Sequence, residues 1–107
     1  MNVQNALLIS AAIFSVGVYG VLSRRNLLIV LMSVELMLNG ANLALVAASR
    51  DLARFAPGAP EGGQALVLLS MAVAAAEVAV GLSIVIALFR HSRSVDTASP
   101  RATALRR

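Results

Sequence analysis

The chain contains no cysteine among its 107 residues, which excludes disulfides, thiolate metal sites and iron–sulfur clusters built by this chain alone. Histidine is nearly absent as well. The single one, His91, follows the last apolar run, whereas a haem held between membrane helices usually needs axial histidines inside the span. Electron carriage by this chain is therefore not expected. The only aromatic residues are Phe14, Tyr19, Phe55 and Phe89, too few to wall a quinone pocket and better suited to anchoring at the membrane–water boundary. Lysine is missing altogether, and the nine basic residues are all arginines near the ends of apolar runs. A pI near 11.5 invites a nucleic-acid reading. No basic face with interleaved aromatics supports it, and the arginine pattern reads as membrane topology instead.

What is abundant is apolar residues, at 59% of the chain, far above an ordinary soluble domain. They fall into three runs, each long enough for the roughly 20 residues a membrane helix needs. The expected fold is an all-α membrane protein of three transmembrane helices at about 4–22, 27–48 and 65–89, forming a single membrane domain with a polar tail at 90–107. A signal peptide is the competing reading of the first run. The basic residues follow that run instead of preceding it, and no small-residue cleavage motif comes after, so it is read as a mature helix. The first connector is the short Ser23-Arg24-Arg25-Asn26. The second spans 49–64, with Pro57-Gly58-Ala59-Pro60 and Gly62-Gly63 as breakers. The tail carries Pro100 and several arginines and is expected to be at least partly disordered. Met32, Met37 and Met71 are read as packing residues.

Orientation follows from the arginines. Arg24, Arg25, Arg90, Arg93, Arg101, Arg106 and Arg107 lie on one side of a three-helix chain, while Arg50 and Arg54, offset by Asp51 and Glu61, lie on the other. The positive-inside rule then places the first connector and the C-terminus in the cytoplasm and the N-terminus in the periplasm.

Two glutamates interrupt the apolar runs. Glu35 stands eight residues into the second helix, about 12 Å from its cytoplasmic end, and Glu77 is central in the third, about 18 Å from either end of its run. Glutamate is too short to reach water from there. A charge at that depth costs roughly 2.5 to 3.5 kcal/mol on insertion scales, so both carboxyls must face protein or water, and the interior of a helix bundle is the expected place. A carboxyl that is costly to leave charged and still able to ionise beside water is suited to taking up and releasing protons. Asn39 and Asn42 follow Glu35 at i+4 and i+7 and extend a polar stripe along one face. Ser70, Ala74 and Gly81 share the face of Glu77, small residues that admit a partner helix or water. The bland reading makes both glutamates hydrogen-bonding glue between helices. Two carboxylates on adjacent helices with no intramembrane base favour proton transfer.

Three stretches carry a resemblance: Arg24-Arg25-Asn26-Leu27-Leu28, the run from Val34-Glu35-Leu36-Met37-Leu38-Asn39 through Gly40-Ala41-Asn42-Leu43, and Ala74-Ala75-Ala76-Glu77-Val78-Ala79-Val80-Gly81-Leu82. Together they closely resemble the subunit K (ND-four-L) family of proton-pumping NADH:quinone oxidoreductase, respiratory complex I. The resemblance covers all three helices, and the glutamate pair is its specific element. It implies a membrane-arm subunit of the bacterial inner membrane without a cofactor of its own, with NADH, flavin, iron–sulfur clusters and quinone on partner subunits. Its neighbours would be a J-type subunit and an antiporter-like N-type subunit, with no nucleic acid involved. It implies no complete active site or metal here. It implies proton transfer by Glu35, on which coupled activity depends most, and by Glu77, whose loss is milder. Arg24 and Arg25 match the family's basic cytoplasmic loop. The second connector and the tail after Arg90 look longer than is usual there.

Other functions fit less well. A small multidrug transporter should show four spans with its glutamate in the first, and an ATP-synthase rotor subunit two spans with one carboxylate. A subunit of a multi-subunit cation/proton antiporter shares the second helix in outline and, together with a membrane-bound hydrogenase subunit, is the alternative. The antiporter subunits generally lack the glutamate pair.

Overall fold

The computed structural model describes residues 2–58, 62–93 and 96. They form three helices, α1 (Val3–Ser23), α2 (Leu27–Phe55) and α3 (Gly62–Ser92), and all three are long and apolar enough to cross a membrane. Inside a bilayer every backbone N–H and C=O needs an internal partner, and uninterrupted α-helices provide one within each segment. The short first connector reverses the chain at Asn26, whose side chain accepts a hydrogen bond from the Leu28 amide at 2.9 Å and caps α2.

The helix ends differ from expectation in three places. α2 continues through Ser49 to Phe55, beyond the point where the apolar run stops. Arg50, Asp51 and Arg54 therefore mark where the helix leaves hydrocarbon, while its backbone ladder carries on through the interfacial layer. Gly62 and Gly63, expected as breakers, are the first residues of α3. A Cβ on Gly63 would run into the Ser49 side chain of α2, so glycine here allows two helices to approach closely. The second connector is thereby reduced to 56–61, of which Ala59, Pro60 and Glu61 lie outside the described residues. Gly58 turns the chain at a φ of 89°. Arg90 and His91 belong to α3, and the expectation of a disordered tail falls mainly outside the described residues.

The three helices do not make a bundle. α2 packs against α1 on one side and α3 on the other, and α1 and α3 make no contact among the described residues. The result is an open row with α2 in the middle. The tighter of its two seams is α1–α2. There the small residues Ser10 and Gly17 of α1 meet Ser33, Gly40 and Ala47 of α2, each seven residues from the next and all buried. Such spacing keeps small side chains on one face and lets backbones close up. The Ser10 hydroxyl donates a 2.6 Å hydrogen bond to the Gly40 carbonyl across the seam. Met37 packs on Gly17, as a packing methionine should, while Met32 and Met71 are exposed on the row's outer faces.

Because a row has two broad faces and no enclosed core, large apolar side chains such as Leu8, Leu22 and Leu68 stand well exposed. Lipid or neighbouring subunits must cover them.

Candidate functional site

The site is built on the α2–α3 seam. Two close contacts set its register: Leu31 of α2 against Gly81 of α3, and Ser49 against Gly63. The helices are antiparallel, so counting four residues on from Leu31 and four back from Gly81 reaches Glu35 and Glu77. Counting fourteen back from Ser49 and fourteen on from Gly63 reaches the same pair. The two carboxyls therefore lie at one height in the membrane. Glu77 is the midpoint of α3, fifteen residues from both Gly62 and Ser92, or about 22 Å from each end. Glu35 remains eight residues from the start of α2.

The expectation of a bundle interior is corrected by the row. Glu35 is half-buried and Glu77 is exposed on the surface of this chain. Glu77 lines an open, apolar concavity of about 440 Å³ walled by Val73, Ala76, Val80, Gly81 and Ile84, all on α3. Ala74, by contrast, is buried, and the Leu31 side chain of α2 lies over Gly81. The small-residue stripe is thus taken up at least in part by the chain's own helix, with Glu77 at its edge. Neither glutamate makes a hydrogen bond or ion pair with any described residue. A carboxyl at this depth cannot be left facing lipid. Its partners must come from beyond the described residues, as neighbouring subunits or water in a protein-lined space.

Asn42 and Ser70 are both half-buried. Each is seven residues from the glutamate of its helix, in the matching direction, so they face one another in level one layer further along the seam. Asn39 is exposed, and no hydrogen bond joins it or Asn42 to Glu35. Arg24 and Arg25 are exposed at the far end of the row, about 15 Å from the level of Glu35 by helix rise. Asp96 bridges back to Asn26 and draws the end of α3, with Arg90 and Arg93, to the same end as these arginines. Phe14, Tyr19, Phe55 and Phe89 all point outward, and Phe55 and Phe89 stand near helix ends. Among the described residues no three His, Cys, Asp or Glu side chains come together.

Sequence reasoning passed over Ser10, Gly17, Ser33 and Gly40, which set the position of α2 and hence of Glu35. The signal was available as the seven-residue recurrence of small residues on two helices.

Comparison with known proteins relates the sequence to one family. The family model for NADH-ubiquinone/plastoquinone oxidoreductase chain 4L matches residues 5–103. A subunit K of NADH-quinone oxidoreductase from Salinibacter ruber is 57% identical over 90 residues, 84% of this chain and 83% of that protein. Subunit 11 of the Thermus thermophilus NADH-quinone oxidoreductase is 52% identical over 88 residues, 82% of this chain and 85% of that one. Subunit K 2 from Streptomyces avermitilis is 48% identical over 104 residues, 97% of this chain and 81% of its own length.

Proposed function

The chain belongs to the NADH-ubiquinone/plastoquinone oxidoreductase chain 4L family, and from that premise we propose that Glu35 and Glu77 carry protons for the complex. It is a multi-pass protein of the bacterial inner membrane and a membrane-arm subunit of NADH-quinone oxidoreductase, a translocating oxidoreductase. The alternative of an antiporter or hydrogenase subunit draws no support from the relatives named above.

One observation carries the proposal. Two carboxyls stand at one height beside a single seam, deep in apolar helices, with no hydrogen-bond or ion-pair partner among the described residues. Architectural glue would be expected to bond between the helices it joins. Glu77 instead faces outward and Glu35 stands half-buried at the margin of the seam, where groups of adjoining subunits or water extend a proton route. Asn42 and Ser70 continue the polar layer, and Asn39 faces outward beside Glu35. The flanking subunits are of the J and antiporter-like N types, as the resemblance implies, and Arg24 and Arg25 sit at their cytoplasmic margin. With flavin, iron–sulfur clusters and quinone on partner subunits, as the resemblance implies, electron transfer acts on this subunit only through its coupling to proton movement.

Glu77→Gln tests the assignment at its weaker member. In inverted membrane vesicles, NADH-driven proton uptake should fall partially, by less than it does on replacing Glu35, with the complex still assembled. A wild-type rate in the assembled complex would remove Glu77 from the route.

The orientation is proposed with the first connector in the cytoplasm. Ser23 and Pro57 are both exposed, at opposite ends of α2. Cysteines introduced there should label from opposite sides, Ser23→Cys only in inverted vesicles and Pro57→Cys only in intact spheroplasts. Labelling of Ser23→Cys from the periplasmic face would overturn this reading.

A further inference from the structure

A second cavity lies at the other end of the row from the arginine-rich connector. It has a volume of about 370 Å³ and opens where the start of α1 meets the last turns of α2. Ala6 of α1 with Leu43, Val46 and Ala47 of α2 form an apolar wall, and Arg50 and Arg54 stand at the mouth. None of these residues belongs to the glutamate seam.

Its shape follows from the unequal helices. Gly40 rests between the backbones of Ser10 and Phe14, which sets Val3, the first residue of α1, level with about Ser49 of α2. Arg50 is thus at the rim and Arg54 about one turn beyond it. The overhanging arginines stand above an α1 N-terminus whose Asn2 side chain makes no capping bond. Its first backbone N–H groups point the same way and add partial positive charge. Of the two guanidinium groups, Arg54 has Asp51 at 4.0 Å, whereas Arg50 has no ion pair among the described residues. Among the described residues positive charge is in excess, it sits where α2 leaves the hydrocarbon, and the apolar wall of Leu43, Val46 and Ala47 runs from it toward the membrane interior.

We propose that this cavity binds one anionic phospholipid. Its phosphate lies between Arg50, Arg54 and the start of α1, and one acyl chain follows Ala6, Leu43, Val46 and Ala47. The planar guanidinium fork matches phosphate oxygens, and the groove supplies what a free phosphate would leave uncovered. An acidic side chain of a neighbouring subunit would satisfy the charge but not cover the apolar wall of Ala6, Leu43, Val46 and Ala47.

The test uses the whole complex in phosphatidylcholine vesicles containing a small fraction of photoactivatable phosphatidylglycerol, with the reactive group on its acyl chain. After illumination, adducts should map to residues 43–47, at roughly ten times the yield given by the same probe with a phosphatidylcholine headgroup. Excess inorganic phosphate should leave the yield unchanged. Arg50→Gln combined with Arg54→Gln should bring the anionic probe down to the zwitterionic level. Equal yields from the two probes in the wild-type complex would overturn the proposal, and that comparison does not depend on the variant assembling. So would displacement by free phosphate, or absence of adducts on α2, which would mean that a neighbouring subunit covers the groove.

Discussion

Replacing Glu35 with glutamine is expected to lower NADH-driven proton uptake by roughly tenfold or more, the scale on which a positioned proton-transfer group contributes, while the complex still assembles. Glutamine keeps the length and hydrogen-bonding capacity of the side chain and removes only its ability to titrate. Glu35 is half-buried beside the α2–α3 seam and has no hydrogen-bond or ion-pair partner among the described residues, so the substitution breaks no such bond there. If Glu35 were glue to a neighbouring subunit, the amide would bond in its place, and function would be largely kept. Inverted vesicles report proton uptake by dye quenching, and native gel electrophoresis reports assembly. Wild-type uptake by an assembled Glu35→Gln complex would exclude proton carriage by this residue.

A large effect on assembly is expected at Gly40. A Cβ there would meet the Ser10 carbonyl oxygen at 3.0 Å and the Phe14 amide nitrogen at 3.1 Å. Both are backbone atoms of α1, which cannot turn aside as a flexible side chain can. The same residue accepts the Ser10 hydroxyl across the seam. Gly40→Leu must therefore push α1 away from α2, at a cost of about 1 to 3 kcal/mol for overpacking and a few tenths more for the lost interhelical hydrogen bond. The amount of complex in the membrane should fall on the order of tenfold, with Gly40→Ala milder. Gly62→Leu is the control: Gly62 faces open space, and its replacement should leave the amount unchanged. Normal assembly with Gly40→Leu would show that the α1–α2 seam does not hold the row together.

The residues most readily found in the sequence were those that violate their surroundings. Glu35 and Glu77 stand out because ionisable groups are rare inside apolar runs, and helix number follows from the lengths of those runs. Helix ends were harder. Arg50, Asp51 and Arg54 end the hydrophobic pattern, yet α2 runs past them, because charge marks the limit of hydrocarbon and not of backbone hydrogen bonding. Gly62 and Gly63 look like breakers and instead open α3, because in a membrane glycine also serves close packing. The row was not legible either. Burial of a carboxyl can be inferred from its depth, but whether the cover comes from the same chain depends on which faces of α2 the other helices occupy. Small residues at Ser10, Gly17, Ser33 and Gly40 commit one face to α1, and contacts at Leu31 and Ser49 commit another to α3. What remains leaves Glu77 on the outside and Glu35 at the margin.

The shared height of the two glutamates makes a more demanding claim than the importance of either, namely that they serve one proton route. The measurement that tests it is proton uptake per NADH oxidised in vesicles carrying Glu35→Gln, Glu77→Gln and the double variant, each checked for assembly. Groups on one route are coupled, so their losses should not combine independently. The double variant should pump no less than Glu35→Gln alone. A double variant whose deficit is the product of the two single deficits would place Glu35 and Glu77 on separate routes and contradict the account.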